Sequence, residues 1–344
     1  MNLPEPKIPF LDHKAAYAHP PLDRIIDDER AWTLDTVNPD DMIIYLDKIQ
    51  QKELGEIIKD LADNPYPELM RTPDHVIAPH VTKAMHKIRI LLASSGFGVI
   101  DRLPMDDIDK DTARSLYWIL GQMVSRPVAQ KWDGTMIYDV LDVRKDGYGR
   151  TKGSYTVRGS LTNAELLFHT DNGFNVTLPD AVSLLCLNQA KEGGLNRFAS
   201  IYTLHNRMLE RCPGHLKRLY QPALFNRHKE HVEGEPIILR APIFSWDNER
   251  LTARPNPVYV RQAYEMAGLE LDSALKDALD ALVEVAKDAD LWIEMRMERG
   301  QIQFINNRQI LHYRSSYIDF DEPELQRHMI RLWYRDTGRP MYSG

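Results

Sequence analysis

Cysteine and long apolar stretches are both scarce in this sequence of 344 residues. Two cysteines, Cys186 and Cys212, are too few for a disulfide framework, and Cys186 lies in the apolar run VSLLCL, where a buried thiol is expected. No segment approaches the ~18 unbroken apolar residues that a membrane helix needs. The first residues, MNLPEPKIPFLDHK, lack the apolar region of a secretory signal. We therefore expect no membrane association and a cytoplasmic location.

Positive charge is also in deficit. Lys and Arg total 43 against 50 Asp and Glu, which gives a formal net charge of -7, and the basic residues are scattered along the chain. Such a chain repels phosphate backbones, so nucleic acid is not expected as a partner. Internal repeats and low-complexity tracts are absent as well. The expected partner is a small-molecule substrate, and no pattern in the sequence specifies an oligomeric state.

The order of apolar and polar residues predicts a single domain over 1–344 with a helical N-terminal part over 1–95. Asn38-Pro39 is typical of a helix start, and apolar residues follow it at helical spacing through Ile49. A second helix is predicted from about His80 to Ser95, ending at a glycine. A third is predicted around 109–123.

From about Gly134 onward, short β-prone runs alternate with turn residues. Their spacing is typical of a sandwich or barrel and not of alternating strands and helices. The fold class predicted is therefore mainly β with flanking helices, with the core within 96–344. The stretch from about 143 to 163 is polar and rich in glycine, which predicts a flexible loop. This loop directly precedes the residues with metal-ligand spacing.

The segment ELLFHTDNGF places His169 and Asp171 two residues apart. In an extended chain, residues i and i+2 point to the same side, so one imidazole and one carboxylate can reach the same metal. A third ligand must come from elsewhere in the chain. The segment FINNRQILHYRSSY supplies His312, on a strand that follows a predicted hairpin turn at Asn306-Asn307. A jelly roll can bring such distant strands together, and two histidines with one carboxylate form the facial set that non-haem iron uses.

A third segment, RHMIRLWYRD, alternates so that Arg327, Arg331 and Trp333 share one face of a strand. Two inward arginines require an anionic partner, because an unpaired buried charge is strongly disfavoured. A dicarboxylate bound to the metal at one end meets that need, since a guanidinium can grip the other carboxylate bidentately. Trp333 is predicted to be a core residue, as is Trp246.

Taken together, FHTD, SLLCLNQAKEGGLNRFAS and NNRQILHYRSSY leading to RHMIRLW resemble the taurine dioxygenase and clavaminate synthase family. These are Fe(II)- and 2-oxoglutarate-dependent oxygenases built on a double-stranded β-helix. The resemblance covers about 165–335. It implies a jelly-roll core, iron ligands His169, Asp171 and His312, and Arg327 as the group that binds the distal carboxylate of 2-oxoglutarate.

Four weaker candidates follow, two implied by the resemblance and two suggested by the residues themselves. The family often has a threonine after the Gly-Gly pair, and this chain has Asn196, whose amide can donate a hydrogen bond to the same carboxylate. Arg331 is implied as a second anion-binding or substrate group. In the glycine-rich loop, Arg158 either closes over an anionic substrate or is a solvated loop residue. Asn172 either faces the substrate or closes a turn.

The function implied is hydroxylation of an unactivated C–H bond in a small anionic or amino-acid-like metabolite, with Fe(II), 2-oxoglutarate and O2. Desaturation or cyclisation in specialised metabolism would use the same residues. Two other classes stay open at this point: a zinc-type metal hydrolase with an activated water, and a non-catalytic jelly-roll binding module. The paired arginines argue against the hydrolase, and the match in three separate segments argues against the binding module.

Overall fold

The computed structural model describes residue 6 and residues 8–106, 108–143 and 161–344. Most of the loop predicted over about 143–163, including Arg158, lies outside these residues. None of the described helices is long and apolar enough to cross a membrane.

The described residues form seven α-helices and eighteen strands, many of them short. The helices are α1 (Lys48–Asp63), α2 (Pro79–Ala93), α3 (Lys110–Val124), α4 (Ile201–Arg211), α5 (Pro213–Leu219), α6 (Pro257–Ala267) and α7 (Ser273–Val285). The strands are β1 (Phe10–Asp12), β2 (Ile43–Tyr45), β3 (Phe97–Asp101), β4 (Pro127–Val128), β5 (Tyr138–Val140), β6 (Leu166–His169), β7 (Ala181–Asn188), β8 (Glu192–Gly193), β9 (Asn196–Ser200), β10 (Pro222–Asn226), β11 (Ile238–Pro242), β12 (Phe244–Trp246), β13 (Leu251–Ala253), β14 (Trp292–Met295), β15 (Ile302–Asn306), β16 (Ile310–Arg314), β17 (Tyr317–Ile318) and β18 (His328–Tyr334).

The N-terminal part is less helical than predicted. Pro39–Met42 is a 3-10 turn, and β2 follows it and pairs in parallel with β3, so the helix predicted after Asn38-Pro39 is wrong. Helix α1 instead starts after Asp47, whose carboxylate accepts from the backbone of Ile49 and Gln50 in a capping box. The apolar spacing that suggested one helix came from two elements. Strand β1 also leaves this part of the chain to pair with β11.

Two sheets form the centre of the molecule. The larger has the order β2-β3-β15-β7-β18-β4, with β5 also paired to β18, and the smaller has the order β14-β9-β16-β6. Their facing sides meet in one apolar cluster, where Phe97 of the larger sheet stacks on Phe198 of the smaller at 4.8 Å between ring centroids. Helices α1, α2 and α3 cover the outer side of the larger sheet. The interior between the sheets is thus shielded on its back.

The register of β18 decides which of its side chains enter that interior. Arg331 pairs with Leu184 and Trp333 with Val182, and a β-bulge separates His328 from Met329. Ile330 and Leu332 pack under the helices, whereas Trp333 belongs to the cluster between the sheets. Arg331 and Trp333 therefore share the inner face, as the alternation predicts.

The turn at Asn306-Asn307 is not a hairpin. Strand β15 belongs to the larger sheet and β16 to the smaller, so the turn carries the chain from one sheet to the other. Asn307 is fully buried, and its side chain donates to the carbonyl oxygens of Asp171 and Pro179. These contacts fix where the second sheet begins.

Candidate metal centre

The structure brings His169, Asp171 and His312 together. His169 ends β6 and pairs directly with His312 of β16, and Asp171 follows in the next turn. The Nε2 atoms of His169 and His312 lie 3.9 and 3.5 Å from Oδ1 of Asp171. One ligand atom from each of the three lies within 4.8 Å of the others, which makes this a possible metal site of the described residues. Imidazole and carboxylate donors of this kind suit iron(II).

The ring of His169 is oriented by the strand that carries it. The Nδ1 atom of His169 lies 2.8 Å from the carbonyl oxygen of Leu167, which fits a protonated Nδ1 and leaves Nε2 free for a metal. Burial, and then the neighbouring His312, lower the pKa of His169 to about 3. A neutral imidazole with a free Nε2 is the form that binds a metal ion.

The carboxylate of Asp171 is held through its outer oxygen. Oδ2 accepts hydrogen bonds from Nη1 of Arg331 at 3.0 Å and from Nε1 of Trp333 at 2.7 Å. Burial alone would raise the pKa of Asp171, but Arg331 and the hydrogen bond from His312 hold it far below its usual range. The amide oxygen of Asn307 also accepts from the backbone N–H of Asp171 at 2.8 Å. Oδ1 is thereby left facing the two histidines.

Arg331 finds its anionic partner inside the protein. Besides Asp171, its Nε donates to Oε1 of Gln130 at 2.8 Å, and its guanidinium lies between the rings of Tyr138 and Trp333, at 5.0 and 4.8 Å. Asp171 therefore supplies the anionic partner that the sequence argument requires for Arg331, so the inward position of this arginine does not depend on a bound dicarboxylate. The guanidinium still borders the cavity beside the metal site.

Arg327 is different, because it is only 2% exposed and its Nη1 has no hydrogen-bond partner among the described residues. The backbone at Gly194 runs alongside it, with φ of +66° and an added Cβ 3.5 Å from Nε. Two residues later, Asn196 is 5% exposed, and its Nδ2 also lacks a partner within the described part of the chain. A buried donor without a partner costs about 1–3 kcal/mol, so both atoms point to a ligand or a water that fills this space.

These side chains line one cavity of about 560 Å³. The residues that line it include His169, Asp171, His312, Arg327, Asn196 and Arg331. Its volume falls in the range of small-molecule sites. The triad and the two unpartnered donors therefore share a single space that can hold an anionic ligand next to a metal.

Asn172 lies on the cavity wall with φ of 57°, the left-handed conformation that asparagine tolerates. Its Nδ2 donates to the carbonyl of Thr177 at 2.7 Å, and its Oδ1 accepts from Asn175 at 2.8 Å and from the hydroxyl of Tyr342 at 2.9 Å. Both ends of the amide are thus used within the protein, which fits the turn-closing alternative.

Sequence reasoning missed four contributors to this site. Asn307 lies in a quoted segment, but its contact with Asp171 depends on the crossing between sheets. Trp333 is a core residue as predicted, and its indole N–H in addition donates to a candidate ligand. Gln130 and Tyr342 carry no local signal, because the site residues that they contact, Arg331 and Asn172, are distant in sequence.

Comparison with known proteins identifies the family to which the chain belongs. The family model described as taurine catabolism dioxygenase TauD, TfdA family matches residues 72–333. FR-33289 synthase of Streptomyces rubellomurinus is 30% identical over 251 residues, which cover 71% of this chain and 70% of that protein.

Two solved structures share the fold. An asparagine oxygenase, in complex with Fe(II), 2S,3S-3-hydroxyasparagine and succinate, superposes with a TM-score of 0.64 at 18% identity, over 85% of this chain and 93% of that one. The non-haem iron oxygenase OrfP, with Fe, succinate and (3S)-hydroxy-L-Arg, gives 0.61 at 15% identity, over 86% and 94%. The chain therefore belongs to the TauD/TfdA family and is a 2-oxoglutarate-dependent non-haem iron dioxygenase, whose cofactors are Fe(II), 2-oxoglutarate and O2.

Proposed function

We propose that His169, Asp171 and His312 hold the iron, and that Arg327 and Asn196 bind the distal carboxylate of 2-oxoglutarate. The observation that carries this proposal is the pair of buried donors without partners, Arg327 Nη1 and Asn196 Nδ2, in the same cavity as the triad. A dicarboxylate whose 2-oxo acid end reaches the metal would satisfy both donors with its other end. The two facing sheets would then be the double-stranded β-helix of a single domain over 1–344.

The protein's own part in the reaction is to orient the ligands of the metal and to exclude water from the site. Three ligands on one face leave open positions for a co-substrate and oxygen, and iron with 2-oxoglutarate and O2 supplies the oxidising power for an unactivated C–H bond. Arg331 and Trp333 keep the outer oxygen of Asp171 occupied, so that the carboxylate offers the metal one oxygen. The apolar cluster between the sheets keeps water away from the inner end of the cavity.

We further propose that the substrate is a small anionic or amino-acid-like metabolite and that the outcome is hydroxylation. Arg331 supports the anion, since its guanidinium borders the cavity beside Asp171. The hydroxylated amino acids described with the asparagine oxygenase and OrfP support the amino-acid-like class. Desaturation or cyclisation would need the same residues and a different placement of the substrate. Arg158, which lies outside the described residues, remains a candidate for binding the anionic group of the substrate.

The decisive experiment is an anaerobic titration of the iron(II)-loaded protein with 2-oxoglutarate, followed through the visible charge-transfer band of the chelated complex. Wild type should give the band, His312→Ala should lose it, and Arg327→Ala should need far more 2-oxoglutarate to reach it. His86→Ala, on the exposed side of α2, is the matched control and should behave as wild type. Absence of the band in wild-type protein that retains iron would refute the assignment.

Substrate class is tested separately by succinate release. A panel of amino acids, carboxylates, sulfonates and phosphonates is offered with 2-oxoglutarate, and product mass distinguishes the outcomes. A gain of one oxygen indicates hydroxylation, and a loss of two hydrogens indicates desaturation or cyclisation. Turnover restricted to uncharged substrates would contradict the anionic class.

A further inference from the structure

Two aromatic side chains lie behind the turn that carries Asp171. Trp333 and Tyr342 are 6% and 7% exposed, and their rings stack at 6.3 Å between centroids with an interplanar angle of 17°. Each has one polar atom, and each directs it at the turn. The indole N–H of Trp333 donates to Oδ2 of Asp171 at 2.7 Å, and the hydroxyl of Tyr342 donates to Oδ1 of Asn172 at 2.9 Å.

Tyr342 lies beyond residue 333, where the match to the family model ends. The segment that carries it is tied down at several points. The backbone N–H of Ala129 donates to the carbonyl of Pro340 at 3.0 Å, and Arg335 donates to the carbonyl of Met341 at 2.6 Å. On the far side, the hydroxyl of Thr177 donates to the carbonyl of Ser343 at 2.9 Å. Tyr342 is thus held between two parts of the chain that flank the metal site.

The turn under this pair is hydrogen-bonded to Tyr342. Asn172 has a left-handed backbone, a conformation that is uncommon for non-glycine residues although asparagine tolerates it. Asn175 donates to Oδ1 of Asn172 at 2.8 Å and to the hydroxyl of Tyr342 at 2.5 Å. Tyr342 therefore closes a ring of hydrogen bonds directly beside Asp171.

We propose that Trp333 and Tyr342 are positioning residues for the iron ligand Asp171. This inference rests on the proposed role of Asp171 as a ligand. Trp333, with Arg331, occupies the outer oxygen of the carboxylate, so the metal receives Oδ1 alone. Tyr342 fixes the plane of the indole by stacking and fixes the turn by its hydroxyl. The partner that the buried indole N–H finds is the carboxylate of Asp171 itself, which couples the position of the ring to that of the carboxylate.

Partners of this kind typically contribute 10- to 100-fold to metal affinity. The test compares three variants with wild type: Trp333→Phe, which keeps an aromatic ring and removes the N–H; Tyr342→Phe, which keeps the stack and removes the hydroxyl; and Trp246→Phe in β12, a half-buried control. Anaerobic calorimetry with iron(II) alone gives the dissociation constant. The charge-transfer band with 2-oxoglutarate reports the coordination around iron.

Trp333→Phe should raise the iron(II) dissociation constant roughly 10- to 100-fold and shift the band maximum, because the carboxylate can turn and offer both oxygens. Tyr342→Phe should show a smaller rise of the same kind, about threefold to tenfold, as it acts through the turn. Trp246→Phe should match wild type in both measurements.

Several outcomes would overturn the inference. The inference is wrong if Trp333→Phe folds, binds iron within about twofold of wild type and gives an unchanged band. It is also wrong if the only change in Trp333→Phe is a lower melting temperature. If Trp333→Phe does not fold, an unchanged iron affinity and band in Tyr342→Phe overturns it. A wild-type protein that binds iron but gives no band refutes the proposed function instead, so the two failures are distinguishable.

Discussion

Replacing Arg327 by methionine should uncouple the distal carboxylate of 2-oxoglutarate from the protein while leaving the iron site intact. Arg327 is 2% exposed, and its Nη1 has no partner among the described residues, so any bond to the carboxylate forms away from water. Truncating one partner of such a buried charged pair costs about 2–5 kcal/mol. The lower half of that range applies here, because Asn196 and the chelating end of the ligand still contribute. About 2–3 kcal/mol corresponds to a ~30- to ~150-fold rise in the dissociation constant.

The assay is the anaerobic band titration with two ligands, 2-oxoglutarate and 2-oxobutanoate. The second has the same chelating end and no distal carboxylate. Wild type should strongly prefer 2-oxoglutarate, and Arg327→Met should lose most of that preference while binding 2-oxobutanoate and iron(II) as before. Arg299→Met is the matched control, because that guanidinium is engaged by the carbonyls of Leu187 and Met105. Retention of the preference in Arg327→Met would refute the reasoning.

Three further predictions follow from other contacts. Asn196→Leu should raise the apparent KM for 2-oxoglutarate about tenfold, whereas Asn196→Thr, which keeps a donor, should raise it less than threefold; steady-state succinate release measures both. Asn307→Ala should lower the free energy of unfolding, measured with urea, by about 2–4 kcal/mol and should weaken iron binding, since it leaves the buried N–H of Asp171 and the carbonyls of Asp171 and Pro179 without their partner. Glu53→Ala should lower the free energy of unfolding by about 1–2 kcal/mol, because the carboxylate of Glu53 accepts from the first N–H groups of α2. The control Glu56→Ala, at an exposed position, should lower it by less than about 0.5 kcal/mol. Burial alone would raise the pKa of Glu53, but the hydrogen bonds from α2 lower it below its usual 4.5. The stabilisation by Glu53 is therefore present above pH 4.5 and is lost as the pH falls through the lowered pKa.

The parts of the site that sequence could predict are those governed by local periodicity. His169 and Asp171 reach the same site, as their spacing predicts, although Asp171 lies in the turn after β6. The alternation of Arg331 and Trp333 gives them a common face of β18. The order of the three segments was enough to identify the family. The predicted starts of α2 and α3, at about 80 and 109, lie within one residue of the observed ones.

What sequence could not predict depends on contacts between distant segments. The sequence could not show that Arg331 pairs with Asp171, because the two are 160 residues apart and nothing local indicates that they meet. The turn at Asn306-Asn307 has hairpin residues, but the next strand joins the other sheet, a choice made by packing. At the N-terminal side, β2 forms because β3 offers an open edge, which overrides the helical spacing around it.

The short connection from Asn307 to His312 has a consequence for how this protein can vary in length. Asn307 is anchored to Asp171 at one end, and His312 is paired to His169 at the other, so four intervening residues span a fixed distance. Because side chains alternate along a strand, deleting or inserting one residue there would turn His312 to the outer face of its sheet. A substitution in this stretch leaves that alternation in place, whereas a change of length does not. Among related proteins, insertions and deletions should therefore occur elsewhere in the chain and not between Asn307 and His312.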